Sequence, residues 1–435
     1  MYHFIGIKGS GMSALAIIMK KLGFNVQGSD NKKHYFTEEG LIKNNIKVLE
    51  FNKKNIKENM IIIKGNTYNE ENEEVKQAKE YNLKIYTYQE MVNKITRCFN
   101  LITVSGCHGK TTTSSMLAHI LDSNYIIGDG SGDIGNNNYF VLEACEYKRH
   151  FLNYNPNYAI ITNIDLDHID YYKNIKDMIK AYQQFISKAT TVIAYGDDKN
   201  IKKLKHRNIY TYGLKKDNYF KAKRIKYKQN GISFDLYIDN KYKYHFKLPF
   251  YGKHMLENTL AVIGTCYLEK IELKTINKKL KTFKGAKRRF NEIKIKDNII
   301  IDDYAHHPNE IKAVIEATKQ KYPKKKLITI FEPHTFSRTK KFYKQIAYEL
   351  NKSDYSYIMD IYPSREKQED YKRITSNMIL KRIKNGEYIK KNEYSKLVKH
   401  RNAVLLFMSP NDLKQIEENY KNLYIKQFDK ENDKW

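Results

Sequence analysis

A lysine and a threonine follow a glycine turn in residues 101–113, which read Leu-Ile-Thr-Val-Ser-Gly-Cys-His-Gly-Lys-Thr-Thr-Thr. Such a turn can bind phosphate: its backbone N–H groups face the anion, Lys110 reaches the outer phosphates and the Thr111 hydroxyl binds Mg²⁺. The usual pattern has a glycine where Val104 stands, so the match is incomplete. The alternative is an ordinary turn between a strand and a helix. The apolar run before it and the helical stretch Ser114–Leu121 favour nucleotide binding.

Carboxylate and imidazole side chains follow two other apolar runs of the same region. Glu143 ends the run Phe140-Val141-Leu142, and an acidic run follows residues 159–162. The acidic run contains Asp165, Asp167, His168 and Asp170. Because parallel strands end at one edge of a sheet, where α/β folds bind ligands, we expect these groups to lie beside Lys110 and Thr111.

These groups have the chemistry of a magnesium site. Carboxylate and hydroxyl oxygens are the ligands that Mg²⁺ prefers, and phosphate oxygens would complete the set, although histidine is an unusual ligand for this ion. The alternative is that the acidic run only caps a helix that begins near Tyr171. The candidate metal ligands are Thr111, Glu143 and His168.

A second group of reactive side chains follows two strand-like runs nearer the C-terminus. Residues 302–308 read Asp-Asp-Tyr-Ala-His-His-Pro, and residues 331–339 read Phe-Glu-Pro-His-Thr-Phe-Ser-Arg-Thr. Two such strand ends indicate a site that faces the phosphate turn. The alternative is that they are only turn and helix-cap residues. We do not expect zinc, because adjacent histidines on a turn rarely bind one ion and no zinc-spaced ligands follow.

The first glycine turn of the chain differs from a dinucleotide-binding turn. Gly6 and Gly11 fit the ends of the pattern G-x-G-x-x-G, but Lys8 occupies its centre. The central glycine lets the backbone approach a pyrophosphate, so NAD or FAD binding is not expected here. Residues 9–11 (Gly-Ser-Gly) still open a helix, which leaves a nucleotide bound in another pose possible.

Alternating strand-like and helical patterns must position these groups, and they predict an α/β fold with parallel, doubly wound sheets. The alternation begins at the N-terminus, restarts at Leu101 and appears a third time after the basic cluster. Residues 219–248 instead alternate with a period of two, which predicts antiparallel hairpins. The expected strands are residues 3–7, 24–26, 61–63, 84–86, 101–104, 139–144, 158–162, 191–195, 299–301, 327–331, 355–360 and 404–408.

The 435-residue chain exceeds the usual limit of one core, so we predict three domains with boundaries near residues 99 and 286. Residues 1–99 form a Rossmann-like domain. Residues 100–285 form a P-loop α/β domain with a small antiparallel sheet. Residues 286–435 form a second Rossmann-like domain.

The net charge of +29 does not indicate nucleic-acid binding, because lysines are spread over the whole chain and no nucleic-acid signature accompanies them. The densest basic cluster, Lys278–Lys296, is either a solvated face or an attractor of polyanionic small substrates.

The four cysteines are far apart in sequence, which predicts no disulfide framework and a reduced, cytoplasmic setting. We expect neither a signal peptide nor a membrane helix.

Over essentially its full length the chain resembles the Mur ligases. The resemblance rests on residues 4–16 (Phe-Ile-Gly-Ile-Lys-Gly-Ser-Gly-Met-Ser-Ala-Leu-Ala), 106–113, 143–147 (Glu-Ala-Cys-Glu-Tyr), 162–168 (Thr-Asn-Ile-Asp-Leu-Asp-His), 287–290 (Lys-Arg-Arg-Phe), 302–308 and 331–339. Ordered motifs of this number are highly specific together.

The resemblance implies three domains: the first holds a UDP-sugar, the central one is an ATPase, and the last closes over the site with an amino acid. It implies that ATP phosphorylates the lactyl carboxylate of UDP-N-acetylmuramate and that the amine of L-alanine attacks the acyl phosphate. The implied setting is peptidoglycan precursor synthesis, and hence cell shape and division. The implied partners are these small molecules and Mg²⁺, with the protein acting as a monomer or homodimer.

Residue roles follow from the same resemblance. It implies that Lys110, Glu143, His168 and Arg338 are catalytic, with Glu143 and His168 on a second Mg²⁺ and Thr111 on the first. The implied ATP-binding residues are Gly106, Cys107, His108, Gly109, Lys110, Thr111, Thr112, Asn258, Arg289 and Asp303. The UDP-binding turn would consist of Gly9, Ser10, Gly11, Met12 and Asp30. The amino-acid pocket would consist of Tyr304, His306, His334 and Arg338.

Some positions depart from the family pattern, and two alternative functions stay open. Cys145 and Tyr147 replace an aspartate and a serine, Met255 replaces an asparagine of the adenine region, and Thr335 replaces an arginine. The first alternative is ligation of a tripeptide to UDP-N-acetylmuramate in murein recycling. The second is a nucleotide-binding protein without catalysis.

Overall fold

The computed structural model describes residues 1–168, 171–364 and 366–432, and these residues form three β-sheets. The described strands of the first sheet all pair in parallel, in the order β3-β2-β1-β4-β5. They are β1 (Tyr2–Ile5), β2 (Val26–Asp30), β3 (Lys47–Glu50), β4 (Ile61–Lys64) and β5 (Ile85–Thr87). The helices between and after them are α1 (Ser10–Lys21), α2 (Glu38–Lys43), α3 (Glu73–Glu80) and α4 (Tyr88–Thr96).

The second sheet of the described chain has the order β15-β14-β13-β12-β11-β10-β6-β9-β7-β8. Its strands are β6 (Asn100–Ser105), β7 (Asn124–Ile126), β8 (Gly132–Asp133), β9 (Tyr139–Glu143), β10 (Tyr158–Ile161), β11 (Thr191–Tyr195), β12 (Ile209–Gly213), β13 (Phe220–Lys228), β14 (Gly231–Ile238) and β15 (Lys241–Leu248). Its helices are α5 (Lys110–Leu121), α6 (Ile175–Ile186), α7 (Lys253–Leu268) and α8 (Leu273–Thr282).

Strand β6 lies inside this sheet because it can be buried on both faces. Its residues from Leu101 to Ser105 are buried, and it pairs in parallel with β9 on one side and β10 on the other. Continuous apolar runs of this kind are typical of parallel strands covered by helices. The carboxyl ends of β6, β9 and β10 therefore lie side by side, which is where the phosphate turn begins.

The third sheet of the described residues has the order β16-β17-β21-β18-β19-β20. The pair β16–β17 is antiparallel, and the other described strands of this sheet pair in parallel. The strands are β16 (Asn291–Ile295), β17 (Asn298–Asp303), β18 (Lys326–Phe331), β19 (Tyr355–Ile358), β20 (Gly386–Tyr388) and β21 (Ala403–Met408). The helices are α9 (Pro308–Lys321), α10 (Phe336–Leu350), α11 (Asn377–Leu380) and α12 (Lys414–Asn432).

The described residues pack as two compact units rather than three. The first unit contains residues 1–225, 234–246 and 257–284, and the second contains residues 226–233, 247–256 and 285–435. The predicted domain boundaries at 99 and 286 stay a prediction. None of the described helices has an apolar stretch of 18 residues that could cross a membrane.

The structure confirms the α/β fold with parallel sheets and a mixed central sheet. The predicted hairpins of residues 219–248 are β13, β14 and β15, and they extend the central sheet through β12 instead of forming a sheet of their own. The alternative interpretation of the acidic run, as the cap of a helix that begins near Tyr171, is wrong: the helix begins at Ile175. Its cap is Asn174, whose side chain accepts N–H groups of the first turn, so the acidic run does not cap it.

Candidate functional site

Two glycines shape the turn between β6 and α5. Gly106 has φ of 140°, and Gly109, the N-cap of α5, has φ of 83°, in the region that side chains disfavour. A Cβ atom on Gly109 would lie 2.5 Å from Oδ1 of Asn258, and one on Gly106 would lie 2.0 Å from Oγ1 of Thr162. Only glycine fits either position, and the first N–H groups of α5, which no carbonyl of the same helix can accept, lie at this turn.

The end of β10 holds this turn in place. The backbone N–H of His108 donates to Oδ1 of Asn163 at 2.9 Å, and the Thr162 hydroxyl donates to the His108 carbonyl at 2.6 Å. The Cys107 thiol donates to the Asp165 carbonyl at 2.9 Å. Burial raises the pKa of this thiol well above its usual value, so it stays protonated and is not a nucleophile. Cys107 and His108 are thus bound to the neighbouring strand end.

Lys110, the first residue of α5, points back under the turn. Its ammonium group donates to the Gly106 carbonyl and lies 3.2 Å and 3.1 Å from the two carboxylate oxygens of Glu146. Burial alone would lower the pKa of Lys110, but the nearby anions, Glu146 first, raise it above its usual value. Lys110 is therefore a permanent cation at the N-terminus of a helix, which suits it to bind phosphate.

The next residue of the helix meets the end of β9. The Thr111 hydroxyl donates to Oε2 of Glu143 at 3.0 Å, and the same oxygen accepts the backbone N–H of Gly128 at 2.9 Å. Burial raises the pKa of Glu143 above its usual value, so the carboxylate would gain from a cation beside it. A hydroxyl and a carboxylate oxygen in contact fit the donor set of Mg²⁺, and the assignment of Thr111 and Glu143 as its ligands stays a prediction.

His168 approaches Glu146 rather than Glu143 in this arrangement. Its Nε2 atom lies 3.4 Å from Oε1 of Glu146, and its ring contacts that of Tyr147 in a tilted arrangement with centroids 4.7 Å apart. The structure therefore brings His168 to the phosphate turn, as the sequence predicts, but through a carboxylate that the sequence reasoning did not single out. Asp170 lies outside the described residues.

Glu146 is the functional candidate that the sequence reasoning missed. Its side chain is buried, and it bridges Lys110 and His168. Burial raises the pKa of Glu146, but Lys110 and His168 lower it by more, so it lies below the usual value. The sequence could have indicated Glu146 by its position three residues after Glu143, in the loop that follows the same strand.

The remaining residues predicted around the phosphate turn are Thr112 and Asn258. Thr112 is buried in the first turn of α5. Asn258 is buried, and its Oδ1 lies where a Cβ atom on Gly109 would need space. Both therefore pack against the turn, and their contacts with ATP stay a prediction.

The first glycine turn is held by its own polar residues. The Lys8 backbone N–H donates to Oδ2 of Asp30 at 2.8 Å, and Oδ1 of Asp30 accepts from the Asn31 N–H at 2.8 Å and the Tyr68 hydroxyl at 3.2 Å. The predicted UDP-binding residues Gly9, Ser10, Gly11 and Met12 form the cap and first turn of α1. Asp30 is thus occupied with the backbone of the turn, and its role toward a substrate stays a prediction.

In the second unit, Asp303 ends β17 beside Arg289. Its oxygens accept the backbone N–H of Phe290 at 2.9 Å and that of Ala305 at 2.8 Å. Burial raises the pKa of Asp303 to about 6. Arg289 stacks over the Tyr304 ring at 5.2 Å from its centroid and lies 3.9 Å from Glu310. The predicted nucleotide contacts Asp303 and Arg289 are therefore neighbours of Tyr304.

The residues predicted for an amino-acid pocket lie together in this unit. The ring of His306 lies edge-on to those of Tyr304 and His334, with centroids 5.4 Å and 5.0 Å away. Arg338 Nη1 lies 2.9 Å from Nδ1 of His334. The group therefore joins the end of β17 to the end of β18, and the pairing of Arg338 with a carboxylate ligand stays a prediction.

Some residues of the same segments have the local roles that the alternative interpretation expects. His307 is the N-cap of α9, in a capping box with Glu310. Thr335 is the N-cap of α10, and its hydroxyl accepts the Arg338 N–H at 3.4 Å. The cap interpretation is therefore correct for His307 and Thr335, and the pocket roles of the residues beside them stay a prediction.

Three family models match the chain in succession. The model for the Mur ligase family, catalytic domain, matches residues 1–100, the one for the Mur ligase middle domain matches residues 132–266, and the one for the Mur ligase, glutamate ligase domain, matches residues 288–410.

Solved structures with the same fold agree with these matches. The UDP-N-acetylmuramate-alanine ligase MurC of Thermotoga maritima has a TM-score of 0.81 at 24% identity, over 98% of this chain and 99% of that one. The murein peptide ligase Mpl of Psychrobacter arcticus has a TM-score of 0.72 at 20% identity, over 98% of both chains. The MurF ligase of Thermotoga maritima, solved with ADP, has a TM-score of 0.63 at 17% identity, over 93% of this chain and 95% of that one.

Proposed function

The chain belongs to the Mur ligase family, and from this premise we propose that it joins L-alanine to the lactyl carboxylate of UDP-N-acetylmuramate. As a family member it is an ATP-dependent, amide-forming ligase of peptidoglycan synthesis. The alanine acceptor is supported by the segment 331–335 (Phe-Glu-Pro-His-Thr) and by the turn residues Gly11 and Met12. We also propose that the reaction takes place in the cytoplasm.

One observation carries this proposal: Lys110 and Thr111 begin α5 behind two obligatory glycines, and each contacts a carboxylate. Thr111 contacts Glu143, and Lys110 contacts Glu146, which also meets His168. Such a helix N-terminus attracts a phosphate group, and the carboxylates attract cations. The arrangement suits phosphoryl transfer, which depends on positioning and charge neutralisation.

The proposed chemistry has two steps. The lactyl carboxylate attacks the γ-phosphate of ATP, which gives an acyl phosphate and releases ADP. The alanine amine then attacks the acyl carbon, phosphate leaves, and the amine loses a proton as the amide forms. Lys110 would hold the γ-phosphate as charge develops, and Thr111 and Glu143 would hold Mg²⁺. Mg²⁺, when bound, neutralises charge on the phosphates.

The second unit would supply the amino acid. Arg338 has the planar guanidinium that pairs with a carboxylate through two hydrogen bonds, and His334 fixes its position from one side. Asp303 and Arg289 would face the nucleotide. These roles rest on the motif positions and on the neighbourhood of the side chains.

The decisive experiment is a coupled assay of ADP and phosphate release by the purified protein. It is run with each amino acid, with and without UDP-N-acetylmuramate. We expect release that needs both UDP-N-acetylmuramate and L-alanine, with formation of the amide product confirmed by mass spectrometry. Release that does not depend on UDP-N-acetylmuramate, or no release with any acceptor, would contradict the proposal.

A second candidate function is ligation of a tripeptide to UDP-N-acetylmuramate. The observation in its favour is the likeness to the murein peptide ligase Mpl over nearly the whole chain. The same assay with the tripeptide L-alanyl-γ-D-glutamyl-meso-diaminopimelate as acceptor separates the two. The third possibility, a nucleotide-binding protein without catalysis, predicts ADP binding but no phosphate release with any acceptor.

A further inference from the structure

The carboxylate of Glu146 occupies an unusual place, buried under the phosphate turn between two groups of the proposed reaction. Both of its oxygens lie within 3.2 Å of the Lys110 ammonium, and Oε1 lies 3.4 Å from Nε2 of His168. Glu143 is the carboxylate on Thr111, so the two acids have different partners. Glu146 is thus the group that joins the phosphate-binding lysine to the histidine.

Hydrogen bonds hold the backbone of Glu146 in place, so the position from which its side chain extends is fixed. The hydroxyl of Tyr172 donates to the Glu146 carbonyl at 2.5 Å, and the Arg149 N–H donates to the same carbonyl at 2.9 Å. The Tyr172 ring is fully buried. A buried, anchored carboxylate holds its partners in one geometry and cannot turn into solvent.

The same carboxylate opposes an incoming phosphate. Lys110 is the cation that the γ-phosphate needs, and in the described structure its ammonium is bound to Glu146 and to the Gly106 carbonyl. The Glu146 carboxylate beside the phosphate turn competes with a phosphate group for the Lys110 ammonium and also repels the nucleotide. Both effects are strong in a site shielded from water. Binding of phosphate therefore has to share or displace this ion pair.

We propose that Glu146 is a positioning residue that aligns Lys110 and His168 for turnover and, by the same contacts, weakens nucleotide binding. This inference rests on the proposed function of the phosphate turn. It predicts opposite effects on two quantities. Loss of the negative charge tightens nucleotide binding, whereas loss of alignment lowers kcat. A residue that only supports the fold would lower both.

The test compares Glu146→Gln with the wild-type protein. ADP affinity is measured by calorimetry in EDTA, without metal, and kcat is measured in the coupled assay with Mg²⁺. Removal of one nearby anion should tighten ADP binding about fivefold. The loss of alignment should lower kcat by about tenfold or more. Glu269→Gln is the matched control, because that carboxylate binds the Tyr139 hydroxyl at the other end of β9; neither quantity should change.

The variant Glu146→Asp distinguishes the effect of the negative charge from the effect of the side-chain length. It keeps the anion but shortens the side chain, so ADP affinity should stay within about twofold of wild type while kcat falls about fivefold or more. This variant also decides the matter if the glutamine variant fails to fold, which a thermal melt will show. Wild-type kcat in Glu146→Asp, or affinity and kcat lowered together in either variant, would overturn the inference.

The outcomes also separate this inference from the proposed function. A wild-type protein that binds no ADP and shows no turnover with UDP-N-acetylmuramate contradicts the function itself. An active wild-type protein whose Glu146 variants bind ADP no more tightly, or keep full kcat, contradicts only the role of Glu146.

Discussion

Two glycine turns of the first unit each carry a lysine beside the start of a helix, yet the two lysines have different partners. The Lys8 ammonium has three acceptors at 2.9 Å: the carbonyls of Asn31 and Lys33 and a Glu38 carboxylate oxygen. Each of its three protons therefore has a protein partner. The Lys110 ammonium is bound by the Gly106 carbonyl and by Glu146, under a turn that faces the N-terminus of α5.

The neighbouring carboxylates differ in the same way. Asp30 ends the strand beside β1, and its oxygens accept two backbone N–H groups and one hydroxyl. Glu143 ends the strand beside β6 and accepts from the Thr111 side chain. In the first turn the polar groups fix the shape of the backbone. In the second, the Lys110 and Thr111 side chains each also contact a carboxylate side chain, and a phosphate or a cation can replace those contacts.

The comparison shows that a strand, a glycine turn, a lysine and a helix do not by themselves define a phosphate site. What matters is the partner of the lysine. Lys8 binds two backbone carbonyls and one carboxylate of a single loop and so organises that loop. Lys110 is held by one carbonyl and the buried Glu146 at a helix N-terminus, where an incoming anion can replace the carboxylate. Substitutions at the two turns should therefore affect different steps.

The largest effect is expected for Lys110→Ala, which should lower turnover by roughly 10²–10³-fold. The variant loses one preorganised cation against charge that develops on the phosphate. Circular dichroism and a thermal melt must show that it folds, because the buried Glu146 is left without its main partner. A folded variant with more than about a tenth of wild-type turnover would make the two turns alike and the phosphate assignment wrong.

Glu143→Gln should have the next largest effect and should raise the Mg²⁺ concentration needed for half-maximal turnover. It replaces a hard anionic ligand with a neutral one of the same shape. A titration of Mg²⁺ at saturating ATP measures the shift. Asp30→Asn is the corresponding change at the first turn and should leave the Mg²⁺ requirement unchanged. An unaltered Mg²⁺ dependence in Glu143→Gln would remove Glu143 from the metal site.

The sequence reveals the local part of this comparison but not the contacts between distant segments. Lys110 and Thr111 could be predicted from the glycine-turn motif, and Glu143 could be predicted from its position at the end of a strand. The partnership of Lys110 with Glu146 joins residues 36 positions apart, and only the pairing of β6 with β9 creates it. The sequence predicts that Lys8 prevents a pyrophosphate from approaching the first turn. It does not predict that the Lys8 ammonium binds the loop after β2, because that contact forms only in the folded chain.

The strands of the fold also differ in how well the sequence predicts them. The apolar strands of the sheet interiors were predictable, since their runs of buried residues are long. The strands β3, β7, β8, β12, β16 and β20 were missed. Strand β3 has exposed ends, and β8 has only two residues, so neither carries a clear pattern. The start of α6 is set by Asn174, a typical N-cap, and not by the acidic run that the alternative interpretation placed before a helix near Tyr171.

The turn between β18 and α10 extends the comparison to the second unit, where Arg338 takes the place of a lysine in the first turn of the helix. Arg338→Ala should raise the KM for alanine by more than the KM for ATP, since a carboxylate loses its bidentate partner. Arg338→Lys should recover only part of the loss, because lysine keeps the charge but not the planar fork.

Steady-state kinetics with alanine and ATP varied in turn decide between a role in the amino-acid pocket and a role in nucleotide binding. An unchanged alanine KM in both Arg338 variants, or a defect confined to ATP, would contradict the pocket assignment. The neighbouring His306 and His334 would then become the candidates for alanine binding.

The smallest effect on catalysis is expected for Lys8→Met, which keeps the length of the side chain but removes its ammonium. The loop that binds that ammonium, residues 31–38, should loosen, with a loss of about 1–3 kcal/mol in the free energy of unfolding. The KM for UDP-N-acetylmuramate should rise a few-fold, whereas the KM for ATP and kcat should stay near wild type. Lys32→Met is the matched control, because Lys32 is exposed and its ion pair within the described residues is with an exposed Glu50 at 3.4 Å; its effect on stability should stay within about 0.5 kcal/mol. If Lys8→Met impaired ATP binding or kcat as Lys110→Ala does, the first turn would share the chemistry of the second, and the distinction drawn from the partners of the two lysines would fail.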